Sequence, residues 1–309
     1  MAALHSVLRR ASTDGQTRAA GPLPDWRASF EIPMKLHCAG RVLDLAEPVV
    51  MGVLNVTTNS FSDGGRFLDA DAAVAQGLAM HAAGAAIIDV GGESTRPGAE
   101  PVALDLELER VIPVIERLRG ACDAVISIDT MKPEVMRAAV AAGAGLINDV
   151  LALQAPGAIE AAAAGDAAVC LMHMQGEPRT MQQAPRYGDV VTEVDAFLGA
   201  RAQACLAGGI APGRICIDPG FGFGKTLEHN LQLLAGLRQL TAGPYPVLVG
   251  LSRKSMLATL LQRPVEDRLP GSLALATAAV LAGARIVRSH DVEATCDAVR
   301  VAAAVARRS

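Results

Sequence analysis

Nine polar side chains stand at or near the C-terminal ends of eight short apolar runs: Asn55, Asp89, Asp129, Asn148, His173, Asp218, Ser252, Arg288 and His290. A carboxylate accepts two parallel hydrogen bonds, so Asp129, Asn148 and Asp218 together can read the N–H and NH2 edge of an amino-pyrimidinone ring. Arg253, Lys254, Arg288 and His290 lie near them in the later runs and supply cations of the kind that hold phosphate. Helix caps and loop starts account for some of these residues singly, but turn chemistry does not require one on every run. Two glycine-rich loops, NSFSDGG (Asn59–Gly65) and GGESTRPGA (Gly91–Ala99), follow the first two runs. They read either as lids that exclude water from a reacting centre or as tolerant surface loops.

The elements that must position these groups recur regularly. The runs are Val49–Val56, Ala86–Gly92, Val125–Thr130, Leu146–Val150, Val169–Met174, Ile215–Gly220, Val247–Ser252 and Arg285–Val292, and alanine-rich helical stretches separate them. The runs are continuous rather than alternating, as strands covered on both faces require. Strand–helix alternation throughout predicts a parallel sheet. Eight repeats without a dinucleotide fingerprint favour a closed (β/α)8 TIM barrel over an open doubly wound sheet. In a barrel all the polar run ends converge on one face, where sites of this fold lie. Lys132-Pro133-Glu134 reads as a helix start, Ser272 as the cap of another helix, and Asp291 as the residue just before the last one. Met34–Leu45, with a turn at Ala39-Gly40, reads as a short hairpin ahead of the barrel. The chain therefore divides into an N-terminal extension, 1–33, read as a disordered and dispensable tail, and a barrel domain, 34–309.

Composition narrows the classes. Apolar residues make up 51% and aromatics only 3%, so the core must pack from Ala, Val, Leu and Ile. A net charge of −4 argues against a general nucleic-acid surface. No run approaches the roughly 18 apolar residues of a membrane span, and no apolar core follows the arginines of the first 20 residues, so no secretory signal is read. Six scattered cysteines without a C-x-x-C pair read as reduced thiols in a cytoplasmic protein. DPGFGFGKT (Asp218–Thr226) looks like a P-loop, but Pro219 occupies the position of the required first glycine, so ATP binding is not expected there. Asn55-Val56-Thr57 is a glycosylation sequon by letters only. His173 has no second His or Cys at ligand spacing and reads as a core histidine rather than a metal ligand.

VMGVLNVTTNSFSDGG (Val50–Gly65) resembles the first signature of the dihydropteroate synthases, and IIDVGGESTRPGA (Ile87–Ala99) resembles the second. Ser127–Val150, Leu171–Pro178, Asp218–Thr226, Gly250–Leu257 and Gly271–Val292 are similar to the remaining motifs, in the family's order. The resemblance runs from about residue 34 to the C-terminus. It implies an enzyme of folate biosynthesis, a transferase that condenses 6-hydroxymethyl-7,8-dihydropterin diphosphate with p-aminobenzoate, giving 7,8-dihydropteroate and diphosphate. By the same resemblance Asp129, Asn148, Asp218 and Lys254 would hold the pterin. Asn55 would bind diphosphate and its Mg2+, with Arg288 and His290 on the diphosphate. Thr95 and Arg96 would close over the site, Asp63 would meet Arg96, and Phe223, Ser252, Pro97 and Phe61 would shape the p-aminobenzoate slot. The catalytic groups would be Asp218, Lys254, Asp63 and Arg96. A homodimer is implied too, and the alanine-rich last helices could pack closely against a copy.

One departure stands out. The family commonly has Pro-Asp before SFSDGG, and this chain has Thr58-Asn59. The change frees a φ angle and an N–H and removes a negative charge near the diphosphate. Two rival readings keep the barrel: a non-catalytic pterin-binding paralogue, and a pterin-dependent methyltransferase that serves a corrinoid partner. Retention of STRPG and RSHDV, both suited to diphosphate, argues against the second.

Overall fold

The computed structural model describes residues 34–56, 65–93, 100–177 and 180–308, with side chains from residue 70 onward in the second stretch. The tail 1–33 and the Thr58-Asn59 departure lie outside the described residues. Strands β1 (Lys35–Cys38) and β2 (Arg41–Asp44) form the expected antiparallel hairpin. Ala39 and Gly40 both take positive φ, 48° and 77°, a turn whose twist matches that of the flanking strands.

Eight parallel strands follow: β3 (Val49–Asn55), β4 (Ile87–Gly91), β5 (Val125–Asp129), β6 (Leu146–Asp149), β7 (Ala168–Met172), β8 (Ile215–Asp218), β9 (Leu248–Gly250) and β10 (Ile286–Ser289). From β3 to β8 each pairs with the next, and β10 pairs with both β9 and β3. The remaining seam, between β8 and β9, is bridged at Ile217 and Val247, where the Ile217 N–H donates to the Pro246 carbonyl at 3.0 Å. The sheet therefore closes into the expected barrel, and the open-sheet alternative is excluded. Around it lie α1 (Gly65–Ala82), α2 (Leu104–Ala121), α3 (Pro133–Ala141), α4 (Ala158–Ala163), α5 (Val190–Ala207), α6 (Leu227–Ala235), α7 (Leu237–Thr241), α8 (Ser255–Leu261), α9 (Leu269–Leu281) and α10 (Val292–Ala306). Pro133 opens α3 as its spacing predicted.

Two apolar clusters hold this together. The larger lies between strands and helices. The smaller fills the barrel's N-terminal end with Met51, Ile87, Val125, Leu146, Ala168, Cys170, Cys216, Leu248 and Ile286, and Met34, Leu36, Cys38 and Leu45 of the hairpin segment stopper it. The Cys38 thiol is pushed up to about 12 by burial and the neighbouring Cys216, and Cys170 is pushed up by its hydrogen bond with Cys216 and by burial, so these cysteines stay protonated and act as packing. Leu36 is fully buried there, so Leu36→Ala should destabilise the protein by about 2–5 kcal/mol. Urea denaturation checks this, and an unchanged midpoint would mean that the hairpin is not part of the cooperative core.

Two local expectations need correction. Ser272 is not a cap, because α9 begins earlier, with Pro270 in its first turn. The Ser272 hydroxyl instead donates to the Arg268 carbonyl at 3.0 Å and accepts the Arg253 N–H at 3.0 Å. The last two strands also end sooner than their apolar runs. β9 stops at Gly250 and β10 at Ser289, so Ser252 and His290 sit on the turns beyond. Arg288 and His290 therefore do not share one strand face.

Candidate active site

Strand register sets the floor of the site. Asp129 at the end of β5 stands level with Gly91 of β4 and Asn148 of β6, while Asp89 lies two residues deeper on β4. Arg288 projects inward from β10 and joins the two acids: Nε donates to Asp89 Oδ2 at 2.7 Å and an Nη to Asp129 Oδ2 at 2.8 Å. Asn148 donates its amide to the same Asp89 oxygen at 3.0 Å, which leaves its own oxygen facing the mouth. Asp89 is fully buried, an expensive place for a charge unless it is paired. The two acids hold Arg288 above its ordinary value against the effect of burial. Burial lifts Asp129 to about 7 against the downward pull of Arg288. Asp129 Oδ1 is buried without a partner among the described residues. Such an orphan acceptor calls for a donor from a ligand.

The loop after β8 supplies the opposite wall. Asp218 ends the strand, and its Oδ1 accepts the Gly220 N–H at 2.7 Å. Burial raises the Asp218 pKa, while that N–H, Lys254, Lys225 and Arg288 pull it back. Gly220 and Gly224 have φ of 70° and 59°, and a Cβ would lie 1.9 Å from the His173 carbonyl at the first and 2.3 Å from the Gln175 carbonyl at the second. Only glycine fits at either place. Lys225 does not face a nucleotide. Its Nζ is bonded to the Gly220 carbonyl at 2.9 Å and the Phe223 carbonyl at 3.1 Å, and it stands 2.9 Å from His173 Nδ1. The lysine of this glycine-rich loop is therefore turned into the loop itself. Burial and the neighbouring Lys225 push His173 down to about 3. The ring is therefore neutral, Nδ1 is the acceptor, and His173 is the buried core histidine that its isolation suggested.

Lys254 follows β9 and lies over the Phe223 ring, 4.2 Å from its centroid. Burial lowers it to about 8. Its position depends on Arg253, whose φ of 58° puts a residue with a Cβ in the left-handed region, a conformation kept only where neighbours over-determine it. Here Arg253 makes a bidentate pair with Asp291, and its carbonyl accepts from Arg268 at 3.1 Å. Ser252 sits on the turn just beyond β9. Its hydroxyl accepts the His290 N–H at 3.3 Å and stands 3.1 Å from His290 Nδ1, tying the end of β9 to the end of β10. Asn55 stands at the open end of β3, where a Cβ on Gly91 would meet both Asn55 Oδ1 and Asp129 Oδ2 at 3.9 Å.

The structure thus brings Asp129, Asn148, Asp218, Phe223, Lys254 and Arg288 around one cleft at the barrel's C-terminal mouth, with Val150, Met172 and Phe221 as apolar lining. His290 and Ser252 flank it. Phe61, Asp63, Thr95, Arg96 and Pro97 lie outside the described residues. Sequence reasoning gave no role to Asp89 or Lys225. The signal for Asp89 was present, since an acid in the middle of an apolar strand needs a buried cation. Among the described residues no three His, Cys, Asp or Glu side chains converge as a metal site, and no helix is long and apolar enough to cross a membrane.

A cleft of this shape and polarity can be compared with known proteins. The family of pterin binding enzymes matches residues 51–290. The chain is 52% identical over 268 residues to the dihydropteroate synthase of Escherichia coli strain K12, covering 87% of this chain and 95% of that one. It superposes on Xanthomonas albilineans dihydropteroate synthase with 4-aminobenzoic acid at a TM-score of 0.82, with 52% identity, over 89% of this chain and 98% of that one. Burkholderia cenocepacia dihydropteroate synthase complexed with 7,8-dihydropteroate gives 0.81 and 50% identity, over 90% and 99% of the two chains. The convergence of the acids, the amide and the two cations at the mouth of a closed barrel, together with these matches along most of the chain, shows that the chain belongs to the dihydropteroate synthase family.

Proposed function

We infer that this cleft condenses 6-hydroxymethyl-7,8-dihydropterin diphosphate with p-aminobenzoate, forming 7,8-dihydropteroate and releasing diphosphate. The observation that carries the reading is the cluster of acceptors at depth, Asp129, Asp218 and the Asn148 amide, with Lys254 and Arg288 beside them. The acids and amide take the N–H edge of the pterin and fix the ring. Lys254 and Arg288 lie where negative charge develops as the C–O bond to diphosphate breaks, and His290 stands next to them at the end of β10. The pterin methylene then carries positive charge delocalised into the ring, which the Asp218 carboxylate stabilises electrostatically. The p-aminobenzoate nitrogen attacks that carbon from the side of Phe223 and gives up a proton to the released diphosphate or to water. By the resemblance, Thr95, Arg96, Asp63, Phe61 and Pro97 would act on the substrates from the segments after β3 and β4.

Mg2+ fits the donor chemistry at Asn55. An amide oxygen is a hard ligand, and Mg2+ uses few protein groups when phosphate oxygens and water complete its shell. When bound, it neutralises charge on the leaving diphosphate.

Diphosphate release with and without p-aminobenzoate tests the reading. Release that depends on both substrates is the expected result, and tight pterin binding without release would favour the non-catalytic reading.

The raised Asp129 has a consequence for binding. Ring N–H donors favour its carboxylate form, so binding expels a proton wherever Asp129 still carries one. Pterin affinity should be full above about pH 7 and fall as pH drops through it, and Asp129→Asn should lose that dependence. Calorimetry in two buffers of different ionisation enthalpy counts the proton. An affinity independent of pH between about pH 6 and pH 8 would count against it.

A second copy of this chain is the proposed partner. Val301 is 64% exposed on α10, a helix whose alanines permit close approach. Sedimentation at micromolar concentration should give a dimer, and a monomer there would refute the pairing.

A further inference from the structure

We propose that the buried Lys225–His173 pair is a positioning device that fixes the glycine-rich loop 219–224 and thereby sets the Phe223 wall against which the aryl amine is received. The proposal rests on the pterin and p-aminobenzoate reading above.

Lys225 is 3% exposed and does not line the cleft, so it is not a substrate contact. Burying an ammonium costs free energy unless its donors are used. Here each donor has a separate acceptor: the Gly220 carbonyl, the Phe223 carbonyl and His173 Nδ1. The loop needs such a centre because positive φ at Gly220, Gly222 and Gly224 takes its backbone out of any regular ladder. Two further carbonyls are tied from outside, Gly222 by the Gln182 amide and Gly224 by the Tyr187 hydroxyl at 2.8 Å. The Gly222 N–H is also held, by Asn230 Oδ1 at 2.7 Å.

His173 is positioned in turn. Its ring meets Phe197 edge-on at 4.9 Å between centroids, and its backbone N–H donates to the Asp218 carbonyl at 2.9 Å. Burial lowers Lys225 to about 7 and His173 to about 3, so the imidazole stays an acceptor and does not compete for the proton. The Phe223 N–H donates to the Gly220 carbonyl at 3.1 Å, the same oxygen that Lys225 holds. Releasing Lys225 therefore frees both ends of the Phe223 turn. Asp218 precedes the loop and stays on β8, but its carboxylate meets the loop at the Gly220 N–H and lies in the field of Lys225, so a small loss of pterin affinity should accompany the larger loss for p-aminobenzoate.

The test is steady-state kinetics with both substrates on Lys225→Met, His173→Asn and His173→Phe, with pterin Kd by calorimetry and folding by thermal melting. Lys225→Met should raise KM for p-aminobenzoate about tenfold with kcat little changed, while pterin Kd stays within about threefold. His173→Asn keeps an acceptor for Nζ and should stay near wild type. His173→Phe keeps an aromatic ring, loses the acceptor and should follow Lys225→Met. If Lys225→Met does not fold, the two His173 variants decide. Equal weakening of both ligands, an unchanged KM for p-aminobenzoate in folded Lys225→Met, or identical behaviour of the two His173 variants would each overturn the proposal. A wild-type protein that releases no diphosphate would overturn the functional reading and this proposal with it, whereas active variants with unmoved KM overturn the proposal alone.

Discussion

Asp218→Asn should keep the barrel intact and lose most pterin affinity and nearly all turnover. The Asp218 Oδ1 already accepts the Gly220 N–H at 2.7 Å. An asparagine must keep its oxygen on that N–H, because its NH2 there would oppose another donor. The NH2 is then turned toward the cleft, where the ring presents donors. One mismatched polar pair in a buried site costs about 1–3 kcal/mol or more, roughly ten- to a hundredfold in affinity. Turnover should fall further, because the neutral amide no longer stabilises positive charge on the ring. The change is not a folding defect, since Lys254 and Arg288 remain and the Gly220 contact is preserved. Calorimetry with the pterin alcohol and thermal melting give the two readouts. Wild-type pterin affinity in Asp218→Asn would remove this residue from the ring pocket.

Arg288→Ala should act on stability as well as binding. The guanidinium is the shared partner of Asp89 and Asp129, and both acids lie in the barrel interior. Removing it leaves buried carboxylates without a cation, a loss on the order of 3–5 kcal/mol. Both the diphosphate-bearing pterin and the pterin alcohol should then bind more weakly, because Asp129 changes its charge state and Asn148 loses a fixed neighbour. Comparing the two ligands in Arg288→Ala alone therefore does not isolate the diphosphate contact. Combining Arg288→Met with Asp89→Asn removes one charge of each sign and should recover part of the lost stability. In that background the remaining deficit should fall mainly on the diphosphate-bearing ligand. Urea denaturation of the single and double variants, followed by paired calorimetry, separates the effects. A ligand-free Arg288→Ala protein as stable as wild type would show that the buried pairs do not form, and equal loss of both ligands in the double background would place Arg288 away from the diphosphate.

Much of the architecture was legible in the residue order. Continuous apolar runs separated by alanine-rich stretches specify parallel strands covered on both faces, and eight of them close. Strand ends carry their chemistry to one face because parallel strands all point the same way, so Asp129, Asn148 and Asp218 could be grouped from sequence alone. The turn at Ala39-Gly40 and the start of α3 at Pro133 were local matters of backbone sterics, and local signals sufficed.

What only the tertiary structure decided were pairings between residues far apart in the chain. Arg288 and Asp89 are separated by 199 positions, and only barrel closure through β10 brings them together. Their charges then neutralise one another, so Arg288 is a member of the pocket floor. Strand ends behaved similarly. Apolar character alone carried the run through Ser252 and His290, but the strained turn at Arg253, held by Asp291 and Arg268, ends β9 early and sends Ser252 to His290. Ser272 became an acceptor for that turn instead of a cap, because Pro270 starts the helix sooner. Lys225 lay within a motif that invites a phosphate reading. Its acceptors are mostly carbonyls of its own loop, and three left-handed glycines turn them inward. Composition and spacing thus place groups on a face; which of those groups satisfy one another, and which are left for a ligand, depends on distances that exist only once the barrel is closed.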